Sequence, residues 1–116
     1  MRIQQWSDDI VLVELGDETV LTLTESLDCV MKYTKQGKCQ GHTVIDFRIF
    51  DGTIINHLHV ARLFGLYLLL DKMGYRLLLS HLTESDASFI RSMDDKKVLK
   101  IYEDKFVAIV SLQMVS

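Results

Sequence analysis

The sequence predicts one α/β domain, a mixed and mostly parallel sheet of four to five strands with about four helices packed on it. Three observations predict it. Short apolar or β-branched runs alternate along the chain with stretches of helical apolar spacing. Two of those stretches end in glycine, at Gly37 and Gly74, and a strand-like run follows soon after each. The 116 residues hold no proline, linker or internal repeat, so residues 1–116 read as a single domain with one sizeable core.

The elements follow in order. Ile10 to Leu15 is rich in β-branched residues, is closed by Gly16-Asp17, and reads as a strand. Met1 to Trp6 pairs with it across Ser7-Asp8-Asp9 as a hairpin. Thr22-x-x-Glu25 has capping-box spacing, and Leu23, Leu27, Val30, Met31 and Thr34 then share one helical face up to Gly37. His42 to Arg48 reads as a central strand, and Asp51-Gly52-Thr53 marks a loop.

Asn56 to Met73 reads as a long helix ending at Gly74. Leu58, Ala61, Gly65, Leu68 and Leu69 form one face, and Val60, Leu63, Phe64, Tyr67 and Leu70 fill much of the rest. A helix apolar nearly all round is expected to be buried on more than one side. Its unbroken apolar part runs only from Leu63 to Leu70, well short of the roughly 20 residues of a membrane span. Tyr75 to Ser80 is the next strand, parallel to the last by the crossover rule. Glu84 to Met93 is a short helix capped by Thr83, with Ala87 and Ile90 on its stripe. Val98 to Tyr102 is a short strand. Lys105 to Met114 has both strand propensity and helical spacing behind a Glu103-Asp104 cap. Ile45, Phe47, Leu68 and Leu78 are expected to be buried together.

Composition narrows the function. The net charge is −3 and no Lys/Arg run exceeds Lys96-Lys97, which argues against nucleic acid. Met1 to Trp6 has no apolar signal core. Cys29 and Cys39 read as reduced thiols, with Cys29 in a helix core, which suits the cytoplasm. No nucleophile elbow, Walker loop, dinucleotide fingerprint or His-Glu-x-x-His is present, so no catalytic residues, metal site or cofactor is expected. His57 and His59 lie two apart and do not chelate as an i, i+4 pair does; both read as surface or capping residues. Acids at Asp8-Asp9, Asp17-Glu18, Asp94-Asp95 and Glu103-Asp104 read as solvated turns or caps.

The order of elements, Val44-Ile45-Asp46-Phe47, Gly74-Tyr75-Arg76-Leu77-Leu78-Leu79 and Lys100-Ile101-Tyr102-Glu103-Asp104 together resemble the STAS domain family of anti-sigma factor antagonists, from about Ile3 to Val115. The resemblance implies a non-enzymatic regulator, and it implies helix for Lys105 to Met114. It also implies a docking surface at the loop and start of the second helix, at about residues 50–62. Phe50, Thr53, Ile54, Ile55, Asn56, His57, Leu58 and Arg62 are its candidate contacts; Phe50, Ile54, Ile55 and Leu58 are read either as apolar anchors or as ordinary core, with neither favoured.

The family's Asp-Ser-Ser-Gly-Leu motif is absent. Counting from Asp46 puts it on Ile54-Ile55-Asn56-His57, and counting back from Gly74, the preferred count, puts it on Asn56-His57-Leu58-His59. Either way the phosphorylated serine falls on Asn56 or Leu58. Thr53 is the one hydroxyl between Thr43 and Tyr67, and a turn residue is its plainer reading.

The partner implied is a kinase-like anti-sigma factor or another regulatory protein, with a homodimer also open. Two other functions compete. One is an accessory subunit of a transport or lipid-transport complex, docked without membrane insertion. The other is a small-ligand sensor with a pocket at the sheet edge.

Overall fold

In the computed structural model, which describes residues 1–15, 22–38, 40–47 and 55–114, the N-terminal hairpin forms as expected. Strands β1 (Arg2–Ser7) and β2 (Ile10–Glu14) pair antiparallel, and the register shifts between Gln5 and Ser7. That shift is a bulge with Trp6 as the extra residue. The turn at Asp8-Asp9 is held by Gly41. The His42 N–H donates to the Asp9 carbonyl at 2.8 Å, and a side chain at Gly41 would collide with the Asp9 backbone.

Helix α1 (Leu23–Gln36) has the expected capping box. Thr22 Oγ1 accepts from the Glu25 N–H at 3.1 Å, and the Glu25 carboxylate accepts from the Thr22 N–H. Gly37 ends the helix at φ 69°, the left-handed conformation glycine allows without strain. Strand β3 (His42–Asp46), helix α2 (His57–Lys72), strand β4 (Leu77–Ser80), helix α3 (Glu84–Met93) and strand β5 (Lys100–Tyr102) follow. Helix α4 (Lys105–Gln113) closes the order, capped by Asp104, whose carboxylate accepts from the Val107 N–H at 2.9 Å. The tail is thus helical, although Val107, Ile109 and Val110 favour strand, because its buried face packs on the sheet.

The sheet has five strands in the order β1-β2-β3-β4-β5, and β2 to β5 are parallel. Strand alternation divides the core. Val11, Val13, Ile45, Leu77 and Leu79 face α1, α2 and α3. Ile10, Leu12, Val44 and Leu78 face α4 through Ala108, Ile109 and Leu112.

Two expectations need correction. Leu78 does not join Ile45 and Phe47, because one step along a strand changes the face. Leu68 is 61% exposed, as is Leu58, so the Leu58–Ala61–Leu68 stripe of α2 points outward. The helix is buried on one side only, through His59, Val60, Leu63, Leu66 and Leu70. A side chain apolar nearly everywhere gives the helix no phase to read. Cys29 is half-buried rather than core.

Two truncations on α2 should therefore separate sharply in urea unfolding. Leu66→Ala, at 1% exposure, should lose about 2–5 kcal/mol, while Leu68→Ala should stay within about 0.5 kcal/mol of wild type. Equal losses would mean that α2 is rotated from the orientation described.

Candidate functional site

The candidate surface lies at the start of α2. Phe50, Thr53 and Ile54 fall outside the described residues, as do Gly16-Asp17, Asp17-Glu18, Cys39 and Asp51-Gly52. The remaining candidates are brought together, but they do not all face solvent.

Asn56 is the N-cap. Its Oδ1 accepts from the N–H groups of Leu58 at 2.9 Å and His59 at 3.1 Å, and the Asn56 N–H donates back to His59 Nδ1 at 3.1 Å. This is a capping box with histidine in the place usually held by Glu or Gln. It fixes the first turn of the helix at both ends of the exchange. Ile55 is only 3% exposed, and its N–H donates to the Asp86 carboxylate at 3.1 Å. Of the two roles open to Ile55, anchor or core, its burial gives core and removes it from the contact surface.

His57 is exposed and meets the Phe89 ring edge-on at 5.3 Å, so the helix start rests on α3. Arg62 reaches α1 through Asp28 at 2.9 Å and returns to the Leu58 carbonyl at 3.4 Å. The ion pair is half solvated and contributes about 0–1 kcal/mol; its effect is mainly to fix the Arg62 side chain. Between these supports Leu58 projects into solvent. The result is an exposed leucine on a rigid helix start, flanked by Asn56, His57 and Ala61.

Three carboxylates with structural roles escaped the sequence. Asp46, at the end of β3, is 1% exposed and takes the Ser80 hydroxyl at 3.0 Å and His81 Nδ1 at 2.9 Å. Asp86 holds Ile55, as above. Asp94 was expected to be solvated, but it is 4% exposed and accepts from the N–H groups of Val98 at 3.0 Å and Leu99 at 2.8 Å. Those two bonds hold it inside the turn that leads from α3 into β5. Asp46 alone had a legible signal, since an acid inside an apolar strand must find partners. Ser80 is fully buried, so the Asp46–Ser80–His81 cluster ties strand ends together and offers no reachable nucleophile. Among the described residues no three His, Cys, Asp or Glu side chains converge as a metal site, and no helix is long and apolar enough to cross a membrane. A groove of about 360 Å³ runs along the β4–β5 edge, lined by Tyr67, Tyr75, Arg76, Lys100 and Tyr102 among others.

Comparison with known proteins places this geometry. No family model matches the sequence, and no curated protein does. Solved structures match along nearly the whole chain. The NMR structure of TM1081 has a TM-score of 0.73 at 14% identity, covering 97% of this chain and 87% of that one. A crystal structure of the same Thermotoga maritima protein describes it as a proposed anti-sigma factor antagonist. A Ser→Glu variant of Moorella thermoacetica RsbS has a TM-score of 0.70 at 16% identity, covering 96% of this chain and 95% of that one. A chain of the stressosome, a signal integration and transduction hub, has a TM-score of 0.66 at 14% identity, covering 98% and 100%. The fold is therefore the STAS fold that the sequence resembles.

His59 makes the site sensitive to acid. Burial lowers its pKa below the usual 6.5, and the Arg62 charge lowers it further, against an opposing pull from Asp86. Protonation would also remove the Nδ1 acceptor from the capping box. The folded protein thus binds fewer protons here than the unfolded chain. The stability that neutral His59 supplies is complete above about pH 6.5 and is lost as pH falls from there toward the lowered folded value. Wild type should lose more stability than His59→Gln between about pH 7 and pH 5, a window set by the unfolded histidine value. Superimposable pH profiles from urea unfolding would refute this role.

Proposed function

We propose that this chain is a non-enzymatic regulatory module that docks a protein partner at the start of α2. The partner is a kinase-like anti-sigma factor or another regulatory protein of the cytoplasm. Leu58 carries the proposal: an apolar side chain 61% exposed on a helix turn that Asn56 and His59 hold rigid. A rigid, solvent-facing leucine is suited to anchor an interface at little ordering cost. The solved structures of similar fold support a regulatory reading, since their descriptions are of an anti-sigma factor antagonist and a stressosome.

The surface works without a serine switch. A phosphate adds roughly −1.5 to −2 charge and would repel an acidic or apolar partner from the helix start. Asn56 and Leu58 have no hydroxyl to accept it. Partner binding is then constitutive, or controlled by partner supply or by a site elsewhere.

Leu58→Asp should imitate the missing phosphate. Affinity for the purified partner should fall by about tenfold or more, with the urea midpoint unchanged. Unaltered affinity would place docking elsewhere. Intact mass after incubation with ATP and the partner kinase should show no added phosphate; a phosphate on Thr53 that weakens binding would show a displaced switch. Capture of a permease or transport ATPase subunit would favour the transport accessory instead.

A further inference from the structure

Helix α4 buries one face and leaves the other apolar. Ala108, Ile109 and Leu112 pack on the sheet, while Phe106 (56%), Val107 (46%), Val110 (48%) and Met114 (78%) are exposed. Trp6 adds to this face at 39% exposure, with its ring edge-on to Phe106 at 6.3 Å. Trp6 is there because it is the bulged residue of β1, freed from strand pairing. We propose that this surface, separate from the α2 docking site, is where a second copy of the chain binds.

Charge selects a second copy over other occupants. From Phe106 to Ser116 the sequence holds no Asp, Glu, Lys, Arg or His. The adjoining Lys105 is neutralised by Glu14 at 2.8 Å. A twofold interface sets a surface against itself, so any charge near the axis meets its own copy. In a chain of net charge −3, a face free of charge is the one that two copies can share without repulsion. An anionic bilayer is a poorer fit, because interfacial helices use Lys and Arg on their polar face and α4 has none beyond Lys105.

The area is also of the right order. Two large aromatics and three aliphatic side chains at these exposures present on the order of 400–500 Å² of mostly apolar surface. A standard interface takes about 800 Å² from each partner, and about 65% of a homodimer interface is apolar. The face supplies nearly all of that apolar share. Antiparallel packing of α4 on its mate, with Val110 near the axis, covers the patch in both copies.

Sedimentation equilibrium of the full chain tests this. Wild type should form a concentration-dependent dimer. Val110→Glu and Val110→Lys should each weaken association more than about 100-fold, through like charges facing across the axis. Their far-ultraviolet circular dichroism and urea midpoints should match wild type, since the position faces solvent. An equimolar mixture of the two variants should regain the dimer. A wild type monomeric at all concentrations would overturn the proposal. So would a dimer that survives both substitutions, or wild type that floats with phosphatidylcholine–phosphatidylglycerol vesicles.

Discussion

The architecture depends on one constraint: all three parallel crossovers step in the same direction across the sheet. β2, β3, β4 and β5 are neighbours in sequence order, so each connecting helix lands on the same side by the right-handed rule. The packing agrees, with α1, α2 and α3 sharing one core. A parallel sheet must be covered on both faces. Among the described residues the second face is therefore left to α4, and this nine-residue helix shields Ile10, Leu12, Val44 and Leu78. That demand explains why the tail folds as a helix against its strand propensity. The sheet needs its apolar side chains on one face at helical spacing, and Ala108, Ile109 and Leu112 supply them.

The same constraint shows which parts of the fold were legible. Strands, helix caps and element order could be read because each rests on local chemistry: a Thr22–Glu25 box, a left-handed Gly37, an Asp104 cap. The side of a helix that meets the sheet depends on contrast between its faces. Helix α1 has that contrast, and Leu23, Leu27 and Val30 are buried as expected. Helix α2 lacks it. Leu58, Ala61 and Leu68 do share a face, but nothing in their spacing says that this face is the outer one. The exposed stripe is visible only once α1 and α3 occupy their places.

The candidate site divides along the same line. Asn56 as a cap and His59 as its capping partner lie only three residues apart, but histidine replaces the Glu or Gln by which such a box is recognised, so the pairing appears only in the structure. The carboxylates that stiffen the site are not local. Asp86 meets Ile55 across 31 positions, and Asp46 meets Ser80 across 34. In the sequence Asp86 resembles an acid of a solvated helix start, and only the tertiary fold distinguishes it; Asp46 stands out inside its apolar strand, but its partners do not. Their effect is specific. Asp86 holds the residue just before the α2 cap, so the start of α2 is fixed to α3 before any partner arrives. The docking proposed there would order little new structure, which favours affinity over adaptability.

The two proposed surfaces lie on opposite sides of the sheet, and this has a consequence for assembly. The start of α2 belongs to the three-helix layer, and the outer face of α4 to the other. Pairing through α4 leaves both α2 starts uncovered and turned away from the shared interface. A dimer built this way carries two equivalent docking sites held at a fixed separation. A partner that is itself dimeric, or arrayed, then binds the second site as an intramolecular event, and the gain is set by the match of spacings rather than by new contacts. Under the proposed docking, which has no serine switch, avidity would take the place of a phosphate as the control. Dilution of such a dimer would then release its partners without any covalent change to the chain.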